Sequence, residues 1–250
     1  MKVFNYLQET IEKKGAGLLI LIDPDKTTPE KLVKFLRNGF KNCIDAFLVG
    51  GSLITKGDIE KVISIIKKET SVPVILFPGS VNQVYSDADA ILYLSLISGR
   101  NAEQLIGKHV IAAPMIKKYN IEPISTGYMI IESGSYTSAE YMSNSKPIPR
   151  NKPEIAAATA LAAQYIGMKF IYLEAGSGAE NSVPAEMIKC VSETVDIPVI
   201  VGGGIKNPSD AKEKINAGAK LIVIGNCFED EENWQLLNEF NTVVHFKSNL

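Results

Sequence analysis

The chain has 250 residues, 46% of them hydrophobic, with 26 basic and 28 acidic side chains and a net charge of −2. This length suits one large globular domain or two small ones. Without a basic excess there is no electrostatic footprint of a nucleic-acid binder, so small anions are the charged ligands to expect. Three widely spaced cysteines, Cys43, Cys190 and Cys227, with only two histidines, suggest neither a disulfide framework nor a zinc site and point to a reducing compartment.

From the N-terminus, "MKVFNYLQETIEKKG" places Val3, Leu7 and Ile11 four residues apart, the spacing of an amphipathic helix rather than of a signal peptide. No apolar run approaches the roughly 18 residues of a membrane span. A cytoplasmic protein without stable membrane insertion is expected, one that could still take up a lipid. Apolar, β-branched runs then recur at residues 18–24, 46–52, 73–79, 90–96, 127–134, 170–176, 198–204 and 221–226. Their near-continuous apolar character predicts strands covered on both faces, as in a parallel sheet. Between them lie the helix-like segments "TPEKLVKFLRNGF", "KGDIEKVISIIKKET", "PEIAAATALAAQYIG", "VPAEMIKCVSETV" and "NPSDAKEKINAGA". The alternation predicts an α/β fold, a modified (β/α)8 TIM barrel occupying residues 1–250 as one domain, with a doubly wound open sheet as the alternative.

Two connections break the rhythm. The segment "SVNQVYSDAD" between the third and fourth runs is shorter than a helical crossover requires. The third helix of the outer ring is therefore expected to be shortened or missing, leaving an apolar groove down the barrel's flank that a neighbouring helix or second subunit could otherwise fill. Residues 133–153 have no helical or strand period and carry Tyr136, Tyr141, Lys146, Arg150 and Lys152. A loop of that length suggests a lid or binding loop, with a disordered excursion as the bland reading.

In a barrel of this kind the functional groups sit at the carboxyl ends of the strands. Those ends read Asp23 with Asp25 and Lys26, Gly50-Gly51-Ser52, Pro78-Gly79-Ser80, Glu132, Glu174 with Gly176-Ser177-Gly178, Gly202-Gly203-Gly204, and Gly225-Asn226. Glycines let backbone amides approach an anion, and a helix beginning just beyond adds its positive end, so the last two strand ends form a candidate phosphate cradle. The triple glycine alone could be only a tight turn. Asp23 beside Ser52 offers hard oxygen ligands suited to Mg²⁺, although an aspartate before proline also shapes turns. Lys26 could hold phosphate charge or lie in solvent. Glu174, at the end of a buried run, is either paired with a cation or used as a base towards a hydroxyl of the molecule whose phosphate the cradle holds. His109 and His245 lie away from strand ends, and no Ser-His-Asp spacing or nucleophile elbow is present.

The stretches "LIDPDK", "VGGS", "FPGS", "YLSLISGRN", "GYMIIESGSYTSAEY", "YLEAGSGA", "VGGGIK" and "VIGN" occur in order over nearly the whole chain and closely resemble the geranylgeranylglyceryl phosphate synthases. The resemblance implies a Mg²⁺-dependent prenyltransferase that joins sn-glycerol 1-phosphate to geranylgeranyl diphosphate as an ether. It implies magnesium positions at Asp23 and Ser52. The glycerol phosphate segment would be Tyr172, Leu173, Glu174, Ala175, Gly176, Ser177 and Gly178, completed by Gly203, Gly204, Gly225 and Asn226. Glu174 would act as the base, Tyr172 would bond or pack against the glycerol, and the chain would form a homo-oligomer, a dimer or larger. Rival readings are a relative taking a longer prenyl diphosphate, a phosphosugar isomerase or lyase on the same cradle, and a silent scaffold.

Overall fold

The computed structural model describes residues 2–38 and 43–249. Eight strands, β1 (Gly17–Ile22), β2 (Ala46–Val49), β3 (Val74–Leu76), β4 (Ala90–Leu96), β5 (Glu122–Ile130), β6 (Phe170–Glu174), β7 (Val199–Gly202) and β8 (Leu221–Ile224), pair in sequence order. All are parallel, and β8 closes on β1 with Gly17 opposite Leu221. The open-sheet alternative falls away. Side-chain alternation along each strand divides the apolar residues into two cores. One fills the barrel with Leu19, Leu48, Ile75, Leu92, Phe170, Ile200 and Val223. The other lies between barrel and helices and takes the opposite parity, with Leu18, Phe47, Ile91, Ile171, Leu173 and Val201.

The helix α1 (Val3–Lys14) plugs the amino-terminal end of the barrel with Val3 and Leu7, and its first amide donates to Glu122 Oε2 at 2.5 Å. In the outer ring, α2 (Pro29–Arg37), α3 (Ile59–Glu69) and α8 (Pro208–Asn216) start where Thr28, Asp58 and Asn207 accept an amide of the first turn. Residues 39 and 40 of the helix-like segment 28–40 lie outside the described residues. α6 (Pro153–Tyr165) and α7 (Ala185–Thr194) pack against each other in the same ring, with α7 beside α8.

Between β3 and β4 the chain makes only a single three-ten turn, Val81–Gln83, so the expected loss of the third helix is present. Before β5 comes α4 (Lys108–Tyr119), entered through a wide π-type turn at Glu103–Gly107 and continuous through Pro114. β5 itself starts at Glu122, earlier than the apolar run at 127–134 suggested, because Glu122, Pro123, Ser125 and Thr126 pair with β4 despite their polarity. The 133–153 segment is not wholly irregular. It contains α5 (Ser138–Ser143), started by a reciprocal cap in which Thr137 and Glu140 bond each other's amides, and it returns to the barrel through a bridge between Ile131 and Ile148. Beyond β8 two three-ten turns, Asn226–Glu229 and Glu231–Asn233, precede α9 (Leu236–Val244).

Candidate active site

The parity of β6 decides which of its residues can act. Phe170 and Tyr172 point into the barrel, so Glu174 does as well, at the open end, while Leu173 and Ala175 face the helices. Leu173 and Ala175 therefore offer the site only their backbone. The Glu174 carboxylate is buried, 6% exposed, and accepts the Gly176 amide at 2.6 Å. No ion pair reaches it among the described residues, so the cation-paired alternative is not realised. Burial is the main cause that pushes its pKa up to about 7, and the Gly176 amide and the nearby Tyr172 and Tyr128 hydroxyls offset part of that rise. The Tyr172 hydroxyl is close enough to stabilise the carboxylate, yet makes no aligned hydrogen bond among the described residues. A buried hydroxyl that is near a carboxylate but not aligned with it can turn to a ligand.

Three rings lie beneath the carboxylate. Phe77 stacks on Tyr172 at 5.3 Å between centroids, and Tyr128 sits 5.3 Å from Tyr172 and 6.0 Å from Phe77. Burial, then the Glu174 carboxylate, holds both tyrosine phenols well above their usual pKa, so both are neutral donors at neutral pH. Neither Tyr128 nor Phe77 stands out in the sequence as a functional residue. Counting parity along β5, where Ile124, Tyr128 and Ile130 face inward, is the signal that finds Tyr128.

The glycines are required by contact. A Cβ on Gly203 would lie 2.5 Å from Glu174 Oε1 and 2.6 Å from the Gly176 nitrogen, and Gly203 and Gly204 have φ of +82° and +69°. Two successive residues in this left-handed region turn the end of β7 over the carboxylate. Gly176 also has positive φ, and next to it Ser177 Oγ donates to Asn226 Oδ1 at 2.9 Å, tying the end of β6 to that of β8. Gly178, Gly203, Gly204, Gly225 and Asn226 thus rim one side of Glu174. The helix expected directly beyond the cradle differs: α8 begins only at Pro208, and Asn226 opens a single three-ten turn.

At the neighbouring end of β1, Asp23 lies against Gly51, where a Cβ would meet each carboxylate oxygen at 3.5 Å, with Ser52 next in the chain. Asp25 donates its amide to Asp23 Oδ1 at 3.0 Å, and Asp23 is half-buried, which raises its pKa. The Asp25 carboxylate organises the loop before α3, because Thr55, Lys56 and Gly57 donate their amides to it at 2.8, 2.9 and 2.5 Å. These bonds, led by the Lys56 amide, lower its pKa to about 2. No cluster of three or more His, Cys, Asp or Glu suited to a metal exists among the described residues. A single carboxylate beside a hydroxyl fits a Mg²⁺ that brings most of its shell from water and a substrate's phosphates. Glu132 is not part of the site: it is exposed, and its carboxylate and carbonyl accept the Arg150 amide and guanidinium, pinning the 133–153 segment.

From this rim an apolar groove enclosing about 920 Å³, its open mouth included, runs down the flank where the third helix is missing. Its mouth is Ser52, Phe77 and Tyr128, its floor Ile91 and Tyr93, and its walls Val81 and Val84 on one side and His109 and Ala112 on the other. Ala139 and Met142 of α5 overhang the mouth, so the 133–153 segment does border the site. Gln83 clamps the entrance by accepting the Gly79 amide and donating to the Gly51 carbonyl, both at 3.0 Å.

The family pattern described as "PcrB family" matches residues 8–244. The chain is 48% identical over 225 residues to the geranylgeranylglyceryl phosphate synthase of Spirosoma linguale, covering 90% of each chain. It is 45% identical to that of Pyrococcus furiosus, covering 91% of this chain and 90% of the relative. Among solved structures, the (S)-3-O-geranylgeranylglyceryl phosphate synthase of Thermoplasma acidophilum, in complex with sn-glycerol-1-phosphate, superposes with a TM-score of 0.90 at 32% identity, covering 98% of this chain and 99% of the other. The chain belongs to the PcrB family and stands among its geranylgeranylglyceryl phosphate synthases.

Proposed function

We propose that this enzyme transfers the geranylgeranyl group of geranylgeranyl diphosphate to the C3 hydroxyl of sn-glycerol 1-phosphate, releasing diphosphate. The observation that carries the reading is Glu174: a buried carboxylate without a cation, between a glycine-rimmed anion cradle and the aromatic mouth of an apolar groove. A small phosphorylated alcohol held by Gly176, Ser177, Gly178, Gly203, Gly204, Gly225 and Asn226 would present its far hydroxyl to that carboxylate. The groove accepts an apolar tail and delivers its head to the Asp23 and Ser52 rim.

Asp23 and Ser52 would hold Mg²⁺, which when bound neutralises the diphosphate. The hydroxyl oxygen forms its bond to the donor's allylic C1 as the bond from C1 to the diphosphate oxygen breaks. Glu174 takes the hydroxyl proton, and the leaving diphosphate carries away the electron pair. Phe77, Tyr128 and Tyr172 exclude water from the developing allylic cation, and the aromatic faces suit positive charge. Tyr172, whose hydroxyl makes no aligned hydrogen bond among the described residues, donates it to the glycerol and so fixes it. Incubation with Mg²⁺, sn-glycerol 1-phosphate and geranylgeranyl diphosphate should yield the ether, detected by mass spectrometry, together with one equivalent of diphosphate. A folded protein that makes no ether with this or longer prenyl donors contradicts the proposal.

A further inference from the structure

Lys26 stands at the edge of the cradle with an occupied charge. Its ammonium lies 3.0 Å from Glu229 Oε1, donates to Ser177 Oγ at 3.3 Å and sits 3.9 Å from Asp23 Oδ2. Ser177 spends its own proton on Asn226, so its oxygen is left to accept from Lys26. The cradle's two polar side chains and the lysine thus form one chain of contacts, and Glu229 supplies its negative end. A carboxylate directed at a phosphate cradle would repel the ligand unless it yields its place. The pair is open enough to exchange partners, with 38% of the Lys26 side chain and 34% of that of Glu229 exposed.

The turn carrying Glu229 is held without its carboxylate. Lys31 donates to the Glu229 carbonyl, Trp234 Nε1 to the Phe228 carbonyl at 3.0 Å, and Asn233 to the Cys227 carbonyl at 2.9 Å. We infer that Lys26 is a further phosphate-binding residue of the cradle and that Glu229 is its resting counterion, an internal stand-in for the phosphate that the ligand displaces. This rests on the function proposed above for the choice of ligand, but the exchange itself needs only an anion.

Isothermal titration of sn-glycerol 1-phosphate, and separately of inorganic phosphate, into the wild type and into Lys26→Met, Glu229→Gln and Glu229→Ala tests it. Removing the lysine should weaken both anions about 10- to 100-fold, the worth of a charged hydrogen bond. Both glutamate variants should tighten both anions about 2- to 5-fold, the worth of releasing an exposed ion pair, and the gain should shrink in high salt. The sign is diagnostic, because a merely structural glutamate would weaken binding when replaced. Unchanged or weaker binding in the glutamate variants, or wild-type affinity in Lys26→Met, overturns the inference. Inorganic phosphate following this pattern while sn-glycerol 1-phosphate fails to bind would keep the exchange and reject the proposed acceptor. Failure of both anions to bind the wild type overturns the exchange.

Discussion

Replacing Glu174 by glutamine separates its chemistry from its shape, and it does so in two measurements that move in opposite directions. The carboxyl's pKa rises from 4.5 to about 7 on folding, mainly through burial. Each unit is worth about 1.4 kcal/mol, so holding the ionised form costs the fold roughly 3 kcal/mol. The folded state binds this proton more tightly than the unfolded chain. Its stability contribution is therefore fully present below about pH 4.5, declines as pH rises to about 7 and is level above that. Glutamine keeps the shape and an acceptor for the Gly176 amide but does not titrate. Urea unfolding of both proteins at pH 5 and pH 8 should show the variant gaining on the wild type by up to roughly 3 kcal/mol at the higher pH, since other groups titrate alike in both. Turnover should fall about 10²- to 10⁴-fold. The rising limb of kcat/KM near pH 7 should vanish with it. A stability difference that is the same at both pH values, or a rising limb that survives in the variant, would refute the assignment of Glu174 as a desolvated base.

Three further outcomes follow from contacts. Gly203→Ala puts a Cβ 2.5 Å from Glu174 Oε1 at a φ of +82°, so it should lose about 1–2 kcal/mol of stability and most activity. Thermal unfolding and initial rates check both. Ala112→Phe fills the groove wall beside Tyr93, so the KM for a C20 donor should rise about tenfold or more while sn-glycerol 1-phosphate binding by calorimetry stays unchanged. Equal losses for both substrates would place the groove elsewhere. At the opposite end of the barrel, the fully buried Asp45 accepts Lys14 Nζ at 2.6 Å and the Leu18 amide at 2.7 Å, and pairs with His245 Nε2 at 2.7 Å. Although burial alone would raise its pKa, these partners bring it below the usual value, so its stabilisation is present at neutral pH and is lost as acid titrates it. Asp45→Asn should lose about 3–5 kcal/mol at pH 7, and the loss should narrow in acid, read by urea unfolding at each pH.

Whatever depends on local pattern is legible in the sequence. Eight buried strands leave eight apolar runs, and a crossover of ten residues cannot hold a full helix, so both the barrel and the groove's location can be read before the fold is known. Strand parity is a finer local signal than strand ends alone: it sorts Tyr172 and Glu174 inward from Leu173 and Ala175 outward, and it brings in Tyr128. The short helix at Ser138–Ser143 is hidden by its polarity, although Thr137 and Glu140 carry the spacing of a capping box. Contacts between distant segments leave no such trace. Nothing local says that Gln83 clamps Gly51 to Gly79, that Asp25 organises residues 55–57, or that Lys26 meets Glu229 across 203 positions. That no cation among the described residues pairs with Glu174 belongs to the same class, because pairing is a property of the closed barrel.

Both enantiomers of glycerol phosphate carry a free primary hydroxyl and differ only in where the C2 hydroxyl points, so if the cradle and Glu174 grip the two ends and the Tyr172 hydroxyl bonds the C2 oxygen, these three contacts together accept one enantiomer. The decisive comparison is kcat/KM with geranylgeranyl diphosphate and Mg²⁺ for sn-glycerol 1-phosphate against sn-glycerol 3-phosphate. The expected outcome is a preference for the 1-phosphate of at least about a hundredfold, the size expected when positioning is lost. Equal rates with the two enantiomers would mean that these groups do not fix the acceptor, and would contradict the proposed mechanism.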